Sequence, residues 1–369
     1  MPVNNQKLLE DIGLPSSWPS ANRNLLGLSG AWVEPIKRLS IFDADEFEIF
    51  VEQWASEYLL HKYYQVQKRG GSGDKGRDVV AWIDSPDVSP RKWDSYQCKH
   101  YKNPLMPSDF WLELGKLCYY TFIGDFTTPE TYYVVASLGV GTTLQDYIDD
   151  PEQLRTRLIE NWQKYCEDHI TASARIALEG DFETYVNQFD FSIIQSLSPN
   201  TLIDQHSHTK YHAYVFGTKL EPRPSVPSPP SNVAPFETRY IQNIYDAFAD
   251  HLKVEVRDRD GFANAEHLVH AFDHARESFY SAEALKEFAR DNLPDNSYFI
   301  DILKQFFDGL QVVLYEPHVD GFSRMLAAHK LSTTLQIDSN ALRDVIRSND
   351  RVGMCHQLSN EGKIKWIKP

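Results

Sequence analysis

Residues 221–235, EPRPSVPSPPSNVAP, hold six prolines. Each proline locks one backbone dihedral and removes one amide donor. A run of this kind is extended and semi-rigid, and it cannot build a core. The chain is therefore expected to fold as two bodies, 1–220 and 236–369, joined by 221–235. Its 369 residues, 42% of them hydrophobic, suffice for two to three domains with real cores.

Composition excludes several classes. The four cysteines, Cys98, Cys118, Cys166 and Cys355, are far apart, with no CxxC pair. A disulfide framework or a cysteine-rich zinc site does not fit that spacing. The first twenty residues lack the basic and apolar regions of a secretory signal. No run reaches the roughly 18 apolar residues of a membrane span. A soluble, cytoplasmic protein without membrane contact is expected. The net charge of −15 argues against a protein that coats nucleic acid, because the average surface repels phosphate. Residues 61–102 reverse that average, with nine Lys or Arg against five Asp. The segment is +4 and the rest of the chain −19, which suggests local contact with a polyanion.

Before the linker, helix and strand patterns alternate. Phe47, Phe50, Val51, Trp54 and Tyr58 form a helical stripe over 44–60. A glycine-rich turn, GGSGDKGR, precedes expected strands at 78–83 and 95–101. Residues 108–123 are expected as a helix with Ser108 as N-cap, 131–137 as a buried strand and 151–177 as helix. This order predicts an α/β sandwich with a mixed sheet. After the linker, stripes such as Phe236, Tyr240, Ile241, Ile244, Tyr245, Phe248 and Leu252 predict an all-α domain. Segments 268–279, 282–291, 297–315 and 339–347 read as further helices.

One segment can support chemistry. Hydrolysis of a phosphodiester needs a divalent cation, carboxylates to hold that hard ion, and a cation near the attacking water. Asp78 stands where the glycine-rich turn becomes a strand. On the next strand Gln97 and Lys99 point one way and Cys98 the other. If the two strands are adjacent and antiparallel, Asp78 meets the Gln97/Lys99 pair. Glu48 on the preceding helix offers a second carboxylate, with Glu52 one turn on as its alternative. Lys75, Arg77 and Lys102 are candidate phosphate contacts.

The run Phe47–Glu48, Gly73-Asp74-Lys75-Gly76-Arg77-Asp78 and Gln97-Cys98-Lys99 resembles the Mrr-like branch of PD-(D/E)xK nucleases. That branch often has Gln at the motif's acidic position. The stretches RGGSGDKGRDVVAW, YQCKHYKNPLMPSDFWLELGKLCYYTF and VGMCHQLSNEGKIKW resemble the nuclease subunit of Lamassu, an ABC three-component anti-phage system. Its nuclease domain is grouped with those of CBASS effectors. The resemblance implies a restriction-endonuclease-like N-terminal domain, a mixed sheet flanked by helices. It also implies an all-α C-terminal domain for assembly. Asp78 would ligate Mg²⁺ or Mn²⁺, Gln97 would add a neutral oxygen, and Lys99 would position the water. Glu48 matches the helical glutamate, and the Cys98 carbonyl would face the metal. The substrate would be double-stranded DNA. The partners would be an SMC-like ATPase and a small third subunit that hold the nuclease inactive until it forms a homo-oligomer, a dimer or a tetramer.

Two other readings compete. One is a stand-alone Mrr-like restriction endonuclease, although 236–369 is acidic and shows no basic recognition helix. The other is a catalytically inert DNA-binding assembly subunit. His267/His270/His274 and His206/His208/His212 have no HExxH or zinc-finger spacing. The Gly139–Thr143 turn lacks the GK[ST] of a phosphate loop, and the adjacent Cys355 and His356 read as packing.

Overall fold

The computed structural model describes residues 10–12, 33–68, 75–217, 220, 222–337 and 340–367. Most of the glycine-rich turn, Gly70–Asp74, lies outside the described residues, as do Arg69, Glu221 and Ser339. The chain divides into two compact units with the boundary between Phe216 and Gly217, so the proline-rich segment falls in the second.

The first unit is built on a mixed sheet of six strands in sequential order. They are β1 (Glu10–Asp11), β2 (Gln65–Lys68), β3 (Val79–Trp82), β4 (Trp93–Lys99), β5 (Thr131–Ala136) and β6 (Ile194–Leu197). Strands β1 to β4 form an antiparallel meander, and β4, β5 and β6 run parallel. The parallel step from β4 to β5 requires a crossover, which helix α3 (Pro107–Phe122) supplies. Helices α1 (Pro35–Ser40) and α2 (Ala44–Trp54) precede β2. Helices α4 (Thr142–Asp149), α5 (Pro151–Tyr165) and α6 (Gly180–Gln188) lie between β5 and β6. Helices α7 (Pro199–His206) and α8 (His212–Phe216) follow β6. Phe110, Leu114 and Leu117 of α3 and Trp162 of α5 join Tyr132 and Val134 of β5 in one core. On the sheet's other face Trp54 of α2 meets Tyr96 of β4 edge-on at 5.2 Å.

Several local expectations needed correction. The 44–60 helix is capped by Asp43, which exchanges hydrogen bonds with Glu46. It ends in a π-helical turn, Ala55–Leu59. The wider turn shifts the stripe, so Leu59 is buried and Tyr58 only half-buried. Helix α3 starts at Pro107, and Asp109, not Ser108, satisfies a terminal amide, that of Met106. The helix expected over 151–177 stops at Tyr165, and the Thr171 side chain bonds the backbone of Ala174 in a local turn. That competing bond replaces helical pairing.

The second unit is all-α around one core. Its helices are α9 (Thr238–Leu252), α10 (Glu266–Asn292), α11 (Ser297–Tyr315), α12 (Gly321–Ser332) and α13 (Ser348–Asn360). The 268–279 and 282–291 patterns are one 27-residue helix, α10. Phe236 sits in a 3-10 turn before α9 and is half exposed. No helix forms over the described part of 339–347, where Asn340 bonds the backbone of Leu342 in a turn. Helices α12 and α13 escaped the pattern reading. Helix α13 is buried on nearly every side although most of its residues are polar, Asp350, His356, Gln357 and Ser359 among the buried ones, so no apolar stripe marks it. Among the described residues no helix is long and apolar enough to cross a membrane.

Candidate active site

The site lies at the end of the sheet where β3 begins and β4 ends. The β3–β4 register pairs Val79 with Tyr96, which sets Asp78 opposite Gln97 one step on. The Gln97 amide donates to Asp78 Oδ2 at 2.8 Å, and the Cys98 backbone N–H donates to the same oxygen at 2.7 Å. Gln97 itself is fully buried. The Tyr132 hydroxyl stands 3.4 Å from Gln97 Oε1 and 3.3 Å from the Gly76 carbonyl, so it ties the Asp78 turn to β4 and β5. In this arrangement Gln97 presents its N–H to Asp78 and its oxygen to Tyr132. The Cys98 carbonyl leaves β4 on the side from which its N–H reaches Asp78.

The cations divide between the two faces of the sheet. Lys99 shares its face with Gln97 and reaches Glu113 of α3 at 3.1 Å. Lys116 holds the same Glu113 oxygen at 3.2 Å. Burial pulls the Lys99 ammonium down in pKa, but the carboxylates of Glu113 and Asp78 outweigh it and hold it above the ordinary lysine value. On the opposite face Lys68 of β2 pairs with Glu48 at 2.8 Å and also with Glu52. Burial works against the Lys68 charge, and the two glutamates more than restore it. Burial also pushes the Cys98 thiol up, and Asp78 adds to that.

Asp78, Gln97 and Cys98 are thus bonded directly, with Lys99 beside them, while Glu48 and Glu52 enter a second ion pair through Lys68. The Glu48 side chain is 60% exposed and that of Glu52 14%. Of the candidate phosphate contacts, Lys102 is exposed. Lys75 is paired with Asp125, and Arg77 is buried with its guanidinium 3.9 Å above the Phe126 ring. Among the described residues no group of three His, Cys, Asp or Glu gathers to hold a metal. His270 pairs with Glu266 on α10, and His206 and His212 face each other at 3.2 Å.

Sequence reading missed Glu113, Lys68 and Tyr132 as members of this site. A signal for Glu113 exists. Phe110, Glu113, Leu114, Leu117 and Cys118 repeat at three and four, so an acid occupies a position of the buried stripe. Carboxylates are almost never fully buried unless paired.

Residues 237–366 match a family described as C-terminal domain 6 of the ABC-three component (ABC-3C) systems. This supports membership of the chain in such a multi-component system. No curated protein and no solved structure matched the chain.

Proposed function

We propose that this chain is the DNA-cutting component of an ABC-three-component anti-phage system of the Lamassu type. It would be a Mg²⁺- or Mn²⁺-dependent endonuclease with a restriction-endonuclease-like N-terminal fold, acting in the cytoplasm. The observation that carries the reading is the junction of Asp78, Gln97 and Cys98 with the Lys99 ammonium on the same face. An antiparallel meander followed by a helical crossover also suits the fold the motif implies.

The donors fit a hard, well-hydrated cation. Mg²⁺ keeps several waters and needs only one or two carboxylates. Asp78 and the Cys98 carbonyl would hold it, joined by the Gln97 oxygen once that amide turns from Tyr132 and by Glu48 or Glu52 once released from Lys68. When bound, the metal would polarise the phosphate and lower the pKa of a water. The remaining work falls to the chain. Lys99, paired with Glu113, orients the attacking water and offsets charge that develops on the phosphate oxygens. The Cys98 backbone N–H fixes Asp78, and the Tyr132 hydroxyl holds the turn that carries it.

The match over 237–366 favours partner docking over DNA reading as the role of the second unit. An SMC-like ATPase and a small third subunit would hold the nuclease quiet, and release would allow a homo-oligomer to cut double-stranded DNA. Joining several basic patches would raise affinity without new contacts.

The test is cleavage of supercoiled plasmid by the full chain with its partner subunits in Mg²⁺. Lys99→Ala and Asp78→Asn should each lower the rate by about 10²–10³-fold or more while the chain still folds, as circular dichroism would show. Chelation should stop cutting. Undiminished cutting by Lys99→Ala would remove the assignment.

A further inference from the structure

We infer that Glu113 is a positioning residue, a buried clamp that holds the Lys99 ammonium against the turn carrying Asp78. The role of Lys99 in cleavage rests on the nuclease reading above; the clamp itself rests on geometry.

Glu113 enters the site from α3, a different element from the strand pair that carries Asp78 and Lys99. Its side chain is only 7% exposed. A carboxylate that buried is costly unless cations and hydrogen bonds compensate it. The compensation is one-sided. Oε1 takes both ammonium groups, Lys99 at 3.1 Å and Lys116 at 3.2 Å. Oε2 is buried with no hydrogen-bond partner among the described residues. A group retained for stability alone would be expected to use both oxygens.

The position of Oε2 gives the reason. A Cβ on Gly76 would come within 3.1 Å of it, and Gly76 has a φ of +79°. The carboxylate is therefore packed on the turn two residues before Asp78. It touches that turn with one oxygen and grips Lys99 with the other. The Tyr132 hydroxyl holds the same turn from the sheet side through the Gly76 carbonyl. A lysine side chain has many rotamers and loses little by wandering. Glu113 removes that freedom and sets the distance between the ammonium and Asp78. Lys116 shares the same oxygen, so two ammonium groups face the single negative charge of Glu113 and keep it ionised if either one moves.

Two readouts on the full chain test this. The first is acylation of individual lysines by acetic anhydride at fixed pH, resolved by peptide mass spectrometry, and it needs no cleavage. Glu113→Gln should raise Lys99 labelling about fivefold, the scale of one half-buried ion pair, with Lys68 unchanged. Glu113→Asp keeps the charge but shortens the reach, so it should give a smaller rise and serves if the Gln variant does not fold. Unchanged Lys99 labelling in both variants overturns the clamp. So does an equal rise at Lys68, which would mean general loosening. The second readout is plasmid cleavage with partners present. Glu113→Gln should lower kcat by about 10–100-fold with little change in KM. A raised KM with kcat intact would make Glu113 a DNA-binding residue and overturn the inference. If the unaltered chain cuts no DNA with any divalent metal, the nuclease reading fails, and labelling alone still decides the clamp.

Discussion

Lys99–Glu113 in the first unit and Arg223–Asp350 in the second are both cation–carboxylate pairs held by burial, yet they are built differently. Side chains of the second pair are 2% and 0% exposed, against 22% and 7% in the first. Asp350 uses both oxygens: Oδ1 accepts from Ser281 at 2.6 Å, and Oδ2 accepts from Arg223 and from the Arg347 backbone. Arg347 in turn reaches the carbonyls of Arg223 and Pro224. Glu237 is satisfied as completely, by Arg276 through two bonds of 2.9 Å and by Tyr240, Tyr280 and the Ala234 amide. These networks fasten the proline-rich segment and the 3-10 turn to the helices. Glu113 instead leaves one oxygen without a hydrogen-bond partner among the described residues and crowds two lysines on the other. A fully satisfied network specifies packing, whereas a half-satisfied one at a sheet end is where chemistry is expected.

The largest expected effect breaks the satisfied network. Asp350→Ala should strand the Arg223 guanidinium in the core and cost about 3–5 kcal/mol of stability. Chemical denaturation would measure it, and a loss comparable to that of an exposed pair would erase the contrast. Acid comes next. His356 lies well below its ordinary pKa and His329 falls to about 3, burial first in both and neighbouring histidines adding. In the first unit burial lowers His206 strongly and takes His212 down to about 4, again helped by a neighbouring histidine. Each folded pKa lies below the unfolded value of about 6.5, so the unfolded chain binds more protons as pH falls. Stability is complete above about pH 6.5 and is lost progressively towards the folded values, by up to about 1.4 kcal/mol per pH unit for each histidine. Denaturation at pH 7, 6 and 5 should show this; a flat profile would mean these groups are not buried and neutral. The smallest effect sharpens the comparison at the site. Gly76→Ala must adopt a left-handed φ and meet Glu113, at a cost of about 1–2 kcal/mol. Its effect on cleavage should exceed that on stability, which paired melting and plasmid assays would separate.

How much of this was legible depends on the range of the interaction. Side-chain alternation alone puts Gln97 and Lys99 on one face, because alternation is a local property of a strand. The helical stripes gave α2, α3, α9 and α11 for the same reason. The end of α5 was not legible, because Thr171 draws the backbone into a turn that periodicity does not register. Helix α13 was not legible, because its buried positions are filled largely by polar residues and leave no apolar stripe for periodicity to register.

The sequence by itself therefore determined the chemical kit: Asp78 at a strand start, Gln97 and Lys99 two residues apart, and glutamates on an amphipathic helix. Tertiary structure alone decided which groups meet. The antiparallel β3–β4 register brings Asp78 to Gln97 and the Cys98 amide, and β2 delivers Lys68 to Glu48 and Glu52. The crossover helix carries Glu113 to Lys99. Contacts of that kind depend on strand order and on the path of the crossover, and no local spacing encodes either.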